Sequence, residues 1–205
     1  MEELDYELYY RNKSYKTIAG IDEVGRGCLF GDVLACCVVM PDDKRIEGIT
    51  DSKKLSKKKR EAYYDQILKV AIAVGIGRAD SNTIDEINIK NATHLAMMRA
   101  IINLRDKNDK QVKPDLLLID AEHIDVQTEQ VSIIKGDEKC YSISCASIVA
   151  KVYRDKLCQT WAEEYPNYQI EKNMGYGTKA HRDAIKKHGI TDMHRKSFVK
   201  NRKNW

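Results

Sequence analysis

No stretch of the 205-residue sequence approaches the roughly 18 to 20 consecutive apolar residues that cross a bilayer, which excludes a helical membrane protein. The opening segment MEELDYELYYRNK has neither the basic start nor the apolar run of a secretory leader, so a cytoplasmic protein is expected. No CxxC spacing occurs among the six cysteines, and zinc or dithiol chemistry lacks its usual ligand pattern. Cys28, Cys36, Cys37, Cys140, Cys145 and Cys158 read instead as small buried hydrophobes in a reducing compartment. The GxxxxGK[ST] phosphate loop, the HExxH helix and the GxSxG elbow are all absent. The five histidines sit in separate polar stretches, where exposure or capping is the expected role, with His181, His188 and His194 as helpers in phosphate binding. Internal repeats and low-complexity linkers are also missing.

What is present is an ordinary soluble composition, 42% hydrophobic and 32% charged, long enough for a single domain over residues 1–205 with a real core. The net charge of +4 is modest, but it is unevenly spread. DSKKLSKKKR (51–60) carries six basic residues against one acid, and residues 171–205 carry ten against three. Such runs are usually solvated faces. Two of them flanking a group of acids fit a phosphate backbone led toward metal ions.

A short polar lead precedes two strand candidates, 15–22 and 33–40, joined as a hairpin by the glycine-rich stretch 25–32. Residues 56–69 read as a helix, with Ser56 as N-cap and Tyr63, Ile67 and Val70 at helical spacing. A third strand is expected over 71–79, a turn or short helix over 81–89, and an amphipathic helix over 93–104. LLLID (116–120) and VSIIKG (131–136) are short apolar runs that fit strands buried on both faces. Residues 142–165 place Ala146, Val149, Ala150, Tyr153, Leu157 and Trp161 on one helical face. The resulting picture is an α/β core over about 15–165 with a basic, helical C-terminal region over about 166–205.

Strand ends carry the chemistry. GIDEVGRGCLFGD (20–32) closes an apolar run with Asp22 and Glu23, LLLID ends in Asp120, and Asp137 follows the next strand in KGDEK. Neighbouring residues on a strand point to opposite faces, so Asp22 and Glu23 need a bridging ion or a kink to serve one site. Acids converging on one sheet edge repel unless cations neutralise them, and Mg²⁺ suits a few carboxylates shared with water and phosphate oxygens. Two such ions can activate a water and stabilise the leaving oxygen of a phosphoryl displacement. On spacing alone, Asp120 and Asp137 read equally well as turn or cap residues.

In order and spacing, five blocks resemble the bacterial ribonuclease HII family: GIDEVGRG, DSKKLS, LLLID, KGDEKCYSISCASIVAKVYRD and NMGYGTKAHRDAIKKHGITDMHRKSF. They run from about residue 17 to 198. The resemblance implies a ribonuclease H-like fold, a mixed β-sheet flanked by helices with a helical basic C-terminal region. It implies that Asp22, Glu23, Asp120 and Asp137 are catalytic and hold two Mg²⁺ or Mn²⁺ ions when substrate is bound. Gly25, Arg26 and Gly27 match the loop that contacts the backbone around a ribonucleotide and senses its 2′-hydroxyl. Tyr176 matches the tyrosine that stacks on the next sugar at an RNA-to-DNA junction. Thr50, Ser52 and Lys53 are further candidate substrate contacts, whereas Ser144 and Ser147 are expected to cap or pack the long helix.

The implied activity is an endoribonuclease that hydrolyses the RNA strand of RNA–DNA hybrids. It would also cut 5′ of single ribonucleotides in duplex DNA, leaving 3′-hydroxyl and 5′-phosphate ends. The implied partners are those nucleic acids, bound by a monomer with no membrane association. Where the family commonly has small residues and prolines after the GRG loop, this chain has Cys28, Phe30 and Asp32, so altered loop stiffness and substrate fit are expected. Arg26 and the short lead before the acid pair favour this family over the type HIII enzymes. A hybrid-binding module without cleavage would not need the intact acids. A transposase- or resolvase-like nuclease would not need the two glycine-flanked ribose-sensing blocks.

Overall fold

The computed structural model describes residues 5–49 and 52–200. In chain order the elements are α1 (Tyr6–Arg11), β1 (Ile18–Val24), β2 (Val33–Val39), α2 (Lys57–Val70), β3 (Ala73–Ala79) and α3 (Ser81–Ile102). They continue with β4 (Arg105–Asp106), β5 (Leu116–Asp120), β6 (Glu129–Ile133), α4 (Gly136–Lys139) and α5 (Tyr141–Glu164). After a 3₁₀ turn at Pro166–Tyr168, the C-terminal region comprises α6 (Ile170–Asn173), α7 (Lys179–His188) and α8 (Lys196–Val199).

One mixed sheet runs in the order β4-β3-β2-β1-β5-β6. The first four strands in chain order pair antiparallel, beginning with the expected β1–β2 hairpin, in which Asp22 lies opposite Cys36. β5 and β6 then add parallel to β1, with Ile21 beside Ile119 and Asp120 beside Ile133. The C-terminal ends of three parallel strands therefore meet on one edge, where α/β sheets commonly bind ligands.

Helices cover both faces. α3 packs Ala92, Ala96, Met97 and Ala100 onto Ala19, Ile21, Ala35, Cys37, Leu117 and Ile119. On the other face, Cys145, Ala146, Ile148 and Val149 of α5 meet Leu34, Cys36 and Val38. All six cysteines are buried and free, as their composition suggests. Among the described residues no helix is long and apolar enough to cross a membrane.

Local chemistry accounts for the helix starts. Ser56 accepts the Lys59 N–H at 3.3 Å and Asp80 accepts the Thr83 N–H at 2.7 Å, satisfying N-terminal donors that lack intrahelical partners. α5 is capped from a distance: the buried Glu7 of α1 accepts the Ser142 N–H at 2.7 Å. Gly20 explains how α5 comes so near β1, because a Cβ there would lie 2.2 Å from the Ser142 carbonyl carbon. α3 bends at Asn88, whose φ is 67° and whose Oδ1 accepts the Asn91 N–H at 3.1 Å. Asn88 thus ends one helical segment and caps the next, matching the division expected from sequence between 81–89 and 93–104.

Candidate active site

Alternation along β1 sends Asp22 and Glu23 to different faces, and each finds a separate environment. Asp22 points to the α5 side, where the nearby Ser147 hydroxyl favours its charged form and its Oδ1 accepts the Glu23 N–H at 2.7 Å. Ser147 Oγ lies 2.9 Å from Ser52 Oγ, where either hydroxyl can donate. Ser147 is buried within α5, as expected, and also borders the cleft. Ser144 does cap, donating to the carbonyls of Asp137 and Cys140 at 2.8 and 3.0 Å.

Asp22, Asp120 and Asp137 converge: one oxygen from each lies within 4.8 Å of the other two. Asp120 Oδ1 is fixed by the Gly136 N–H at 2.7 Å, in the tight turn that Lys135 makes at φ 58°. Asp137 Oδ2 accepts from Lys53 Nζ at 3.0 Å. Glu23 lies outside this group of three but lines the same cleft, next to Arg26.

The cluster is electrostatically strained. Burial pushes the Asp22 carboxyl well above its ordinary range, and the neighbouring Glu23 charge adds to the shift. Burial also raises Glu23 and Asp120. Lys53 offsets only part of this at Asp120. An all-oxygen set of crowded carboxylates is what a hard divalent cation neutralises, so the residues fit such an ion.

The same cleft is lined by Gly25, Arg26, Gly27, Ser52, Lys53, Ser147, Lys151 and Tyr176. Thr50 lies outside the described residues. Gly25 has φ +89°, and a Cβ on it would fall 2.3 Å from Arg154 Nε, so only glycine fits. Two fully buried arginines lock this loop from beneath. Arg195 donates to the carbonyls of Gly25 (2.7 Å), Arg26 (2.8 Å) and Gly31 (3.0 Å). Arg154 donates to those of Phe30 (3.2 Å), Asp32 (3.2 Å) and Met174 (2.8 Å). Burial lowers the Arg195 pKa to about 10, which leaves it charged at neutral pH.

Tyr176 is 41% exposed beside Gly27 and forms a bridge with Cys28. Its carbonyl is held by a buried histidine pair. The Thr191 N–H donates to His194 Nδ1 at 3.0 Å, so His194 carries its proton on Nε2. That proton faces His181 Nε2 at 3.2 Å, and His181 Nδ1–H donates to the Tyr176 carbonyl at 2.9 Å. Burial keeps both rings neutral, lowering His181 and taking His194 down to about 3.

These two imidazoles cannot meet phosphate, which corrects the expectation that they help bind it. His188 alone of that group is exposed. Phe30 also differs from expectation. It is buried against Trp161, Tyr165, Tyr168 and His194 and faces the C-terminal core rather than substrate. Asp32 is buried in an ion pair with Arg78 at 2.7 Å, and Cys28 is buried. All three therefore anchor the loop, and none lines the cleft.

Sequence reasoning missed Lys151, the two buried arginines and Glu122. Glu122 Oε1 accepts from Arg26 Nη1 at 2.6 Å, and its Oε2 lies 2.9 Å from His94 Nε2. The arginines stand inside the matched blocks VYRD and MHRKSF, which was the available signal; Glu122 carries none.

The ribonuclease HII family profile matches residues 19–201. Ribonuclease HII of Alkaliphilus oremlandii is 58% identical over 199 residues, covering 97% of this chain and 98% of that protein. The Bacillus subtilis ribonuclease HII is 51% identical over 194 residues, with coverage of 95% and 74%. Among solved structures, ribonuclease H2 from Pyrococcus horikoshii superposes with a TM-score of 0.74 at 22% identity, covering 92% of this chain and 98% of that one. Ribonuclease HII in a PCNA complex from Archaeoglobus fulgidus gives 0.73 at 24% identity, covering 88% and 94%. These two superpositions identify the fold as ribonuclease H-like. Matched over nearly its whole length by the family profile and by close relatives, the chain belongs to the ribonuclease HII family.

Proposed function

We propose that this metal-dependent endoribonuclease cuts on the 5′ side of a ribonucleotide, using Asp22, Glu23, Asp120 and Asp137 as its acids and the Gly25–Arg26–Gly27 loop with Tyr176 as its ribose reader. It acts on RNA–DNA hybrids and on ribonucleotides embedded in DNA, as a single-domain cytoplasmic monomer. The observation that carries the reading is the three-carboxylate convergence within 4.8 Å in a cleft also lined by Gly25, Arg26, Gly27 and Tyr176.

Two Mg²⁺ or Mn²⁺ ions held by these acids would supply Lewis-acid activation of water and stabilisation of the departing 3′ oxygen. The chain's own residues do the rest. The Glu23 N–H fixes Asp22, and the Gly136 N–H fixes Asp120, so the carboxylates are aimed before substrate arrives. Glycines 25 and 27 let backbone approach the sugar, where the 2′-hydroxyl distinguishes RNA from DNA. Arg26 offers guanidinium donors to a phosphate, and Tyr176 offers a flat face to the following sugar. Lys53 and the basic runs contact phosphates without reading sequence. Hydrolysis breaks the P–O3′ bond and leaves a 3′-hydroxyl upstream and a 5′-phosphate on the ribonucleotide. No side chain serves as a covalent nucleophile.

Asp120→Asn tests the acid assignment. Turnover should fall by about 10³-fold, the scale of losing several kcal/mol of transition-state stabilisation, while hybrid binding persists. Full activity in that variant would remove Asp120 from the site.

A further inference from the structure

The reading loop is tied to a carboxylate that takes no part in the three-acid convergence. Glu122 follows Asp120 by two residues, after Ala121 turns the chain at φ 49°. One of its oxygens accepts from Arg26 Nη1 at 2.6 Å; the other meets His94 Nε2, on α3, at 2.9 Å. The carboxylate is thus gripped from two sides, and both its own side chain and that of His94 are mostly buried. Arg26 Nη1 has a second, longer contact with Glu23 Oε1 at 3.5 Å.

The arginine itself is 38% exposed in its side chain. Among the described residues its Nε and Nη2 have no protein acceptor, since both carboxylate contacts use Nη1. Its backbone carbonyl is already pinned by Arg195 at 2.8 Å. A long, flexible side chain is therefore held in one pose, with donors spare for an anionic oxygen. Ordering it in advance removes a cost that binding would otherwise carry, roughly 0.5–1.5 kcal/mol for a rotamer-rich side chain before any geometric benefit.

We propose that Glu122 is a positioning residue for the reaction: it holds Arg26 in its substrate-contacting pose, with His94 as the rear support. This rests on the reading of Arg26 as a substrate contact. The rival physical role is opposite in sign. A carboxylate beside the phosphate path could act only by repulsion, and its removal would then tighten binding.

Steady-state kinetics on a DNA duplex with one ribonucleotide separate these outcomes, using Glu122→Ala, Glu122→Gln, Arg26→Ala and the Glu122→Ala/Arg26→Ala double variant. Glu122→Ala should raise KM about 10-fold with kcat within about threefold, the pattern of lost uniform binding. Glu122→Gln keeps an acceptor for Arg26 and an amide that can hydrogen-bond the His94 ring, so it should restore KM to within about threefold of wild type. In the Arg26→Ala background, Glu122→Ala should add nothing, because the residue acts through the arginine. If Glu122→Ala fails to fold, His94→Ala serves instead, with a KM rise of about threefold that also vanishes without Arg26. A lowered or unchanged KM, or effects that simply add, overturns the proposal. If Arg26→Ala itself changes neither KM nor the preference for ribonucleotide over all-DNA duplex, the loop reading falls together with it. If Arg26→Ala matters but Glu122→Ala does not, the positioning role alone falls.

Discussion

The two walls of the cleft solve the problem of buried polar groups in opposite ways. On the acid side, Asp22, Asp120 and Asp137 crowd together, burial and mutual repulsion raise Asp22 and Asp120, and Lys53 compensates in part. On the loop side, Arg154, Arg195, His181 and His194 are equally buried, yet their donors and acceptors are matched through carbonyls, the Thr191 N–H and each other. The satisfied wall has a fixed shape, which suits the ribose reading proposed for it. The strained wall is a carboxylate cluster of the kind a cation would complete, which suits chemistry. Unresolved electrostatics mark where function is concentrated, and matched networks mark what holds it in place.

Asp22→Asn should lower turnover about 10³-fold yet raise the melting temperature in chelator by about 2–4 °C, as one kcal/mol of relieved repulsion would in a chain of this size. Calorimetry with and without Mg²⁺ checks it. An unchanged or lower melting temperature in chelator would show that the acid wall is not strained.

The loop wall should respond the other way. Arg195→Met leaves the carbonyls of Gly25, Arg26 and Gly31 without their donor. A loss of about 3 kcal/mol is expected on chemical denaturation, from buried acceptors at 1–3 kcal/mol each with partial relaxation. Preference for ribonucleotide-containing over all-DNA duplex should fall with it. A stability change under about 0.5 kcal/mol would place Arg195 among ordinary surface substitutions.

pH separates the walls by sign. Carboxyls raised in the folded state bind protons that the unfolded chain has already released, so their share of stability falls as pH rises above the ordinary carboxylate range. A bound cation removes that loss. The gap in melting temperature between Mg²⁺ and chelator should therefore widen as pH rises above the ordinary carboxylate range, and a gap that stays constant would count against the cluster. The histidine pair works in the opposite direction. Unfolded chains protonate near the ordinary 6.5, while folded His194 resists to about 3, so stability falls as pH drops through that interval. His194→Asn should flatten this acid limb, and an unchanged limb would assign it to other groups.

The smallest effect is expected at Lys53, whose side chain is 79% exposed and pairs with Asp137. Lys53→Ala should cost under about 1 kcal/mol in binding and reduce the salt slope of hybrid affinity by about one. A salt titration measures both.

Much of the frame was legible because it rests on local patterns. Ser56 marks the start of α2, LLLID forms β5 without an offset, and the α5 boundaries differ from expectation by one residue. β6 ends earlier than the apolar run 131–136 suggests, because Lys135 adopts φ 58° and Gly136 begins a helical turn. The two-residue β4 escapes any periodicity argument. At the site, the convergence of Asp22, Asp120 and Asp137 follows from strand ends sharing one edge. What sequence does not announce is contact between distant polar residues. Arg26 and Glu122 are 96 positions apart, Arg195 and Gly25 are 170 apart, and a charged side chain reads as surface until its acceptors are known. Phe30 was misread for the converse reason: its position beside a functional loop says nothing about which way the ring turns.

The most direct measurement is cleavage of a labelled DNA duplex carrying one ribonucleotide, with Mg²⁺, Mn²⁺ or chelator, beside an all-DNA duplex. A single metal-dependent cut immediately 5′ of the ribonucleotide is expected, with none in the control. Equal cutting of both duplexes would contradict the ribose-reading loop. Absence of cleavage here, with metal-dependent cutting of long hybrids, would keep the acid cluster and refute the role given to Gly25, Arg26, Gly27 and Tyr176.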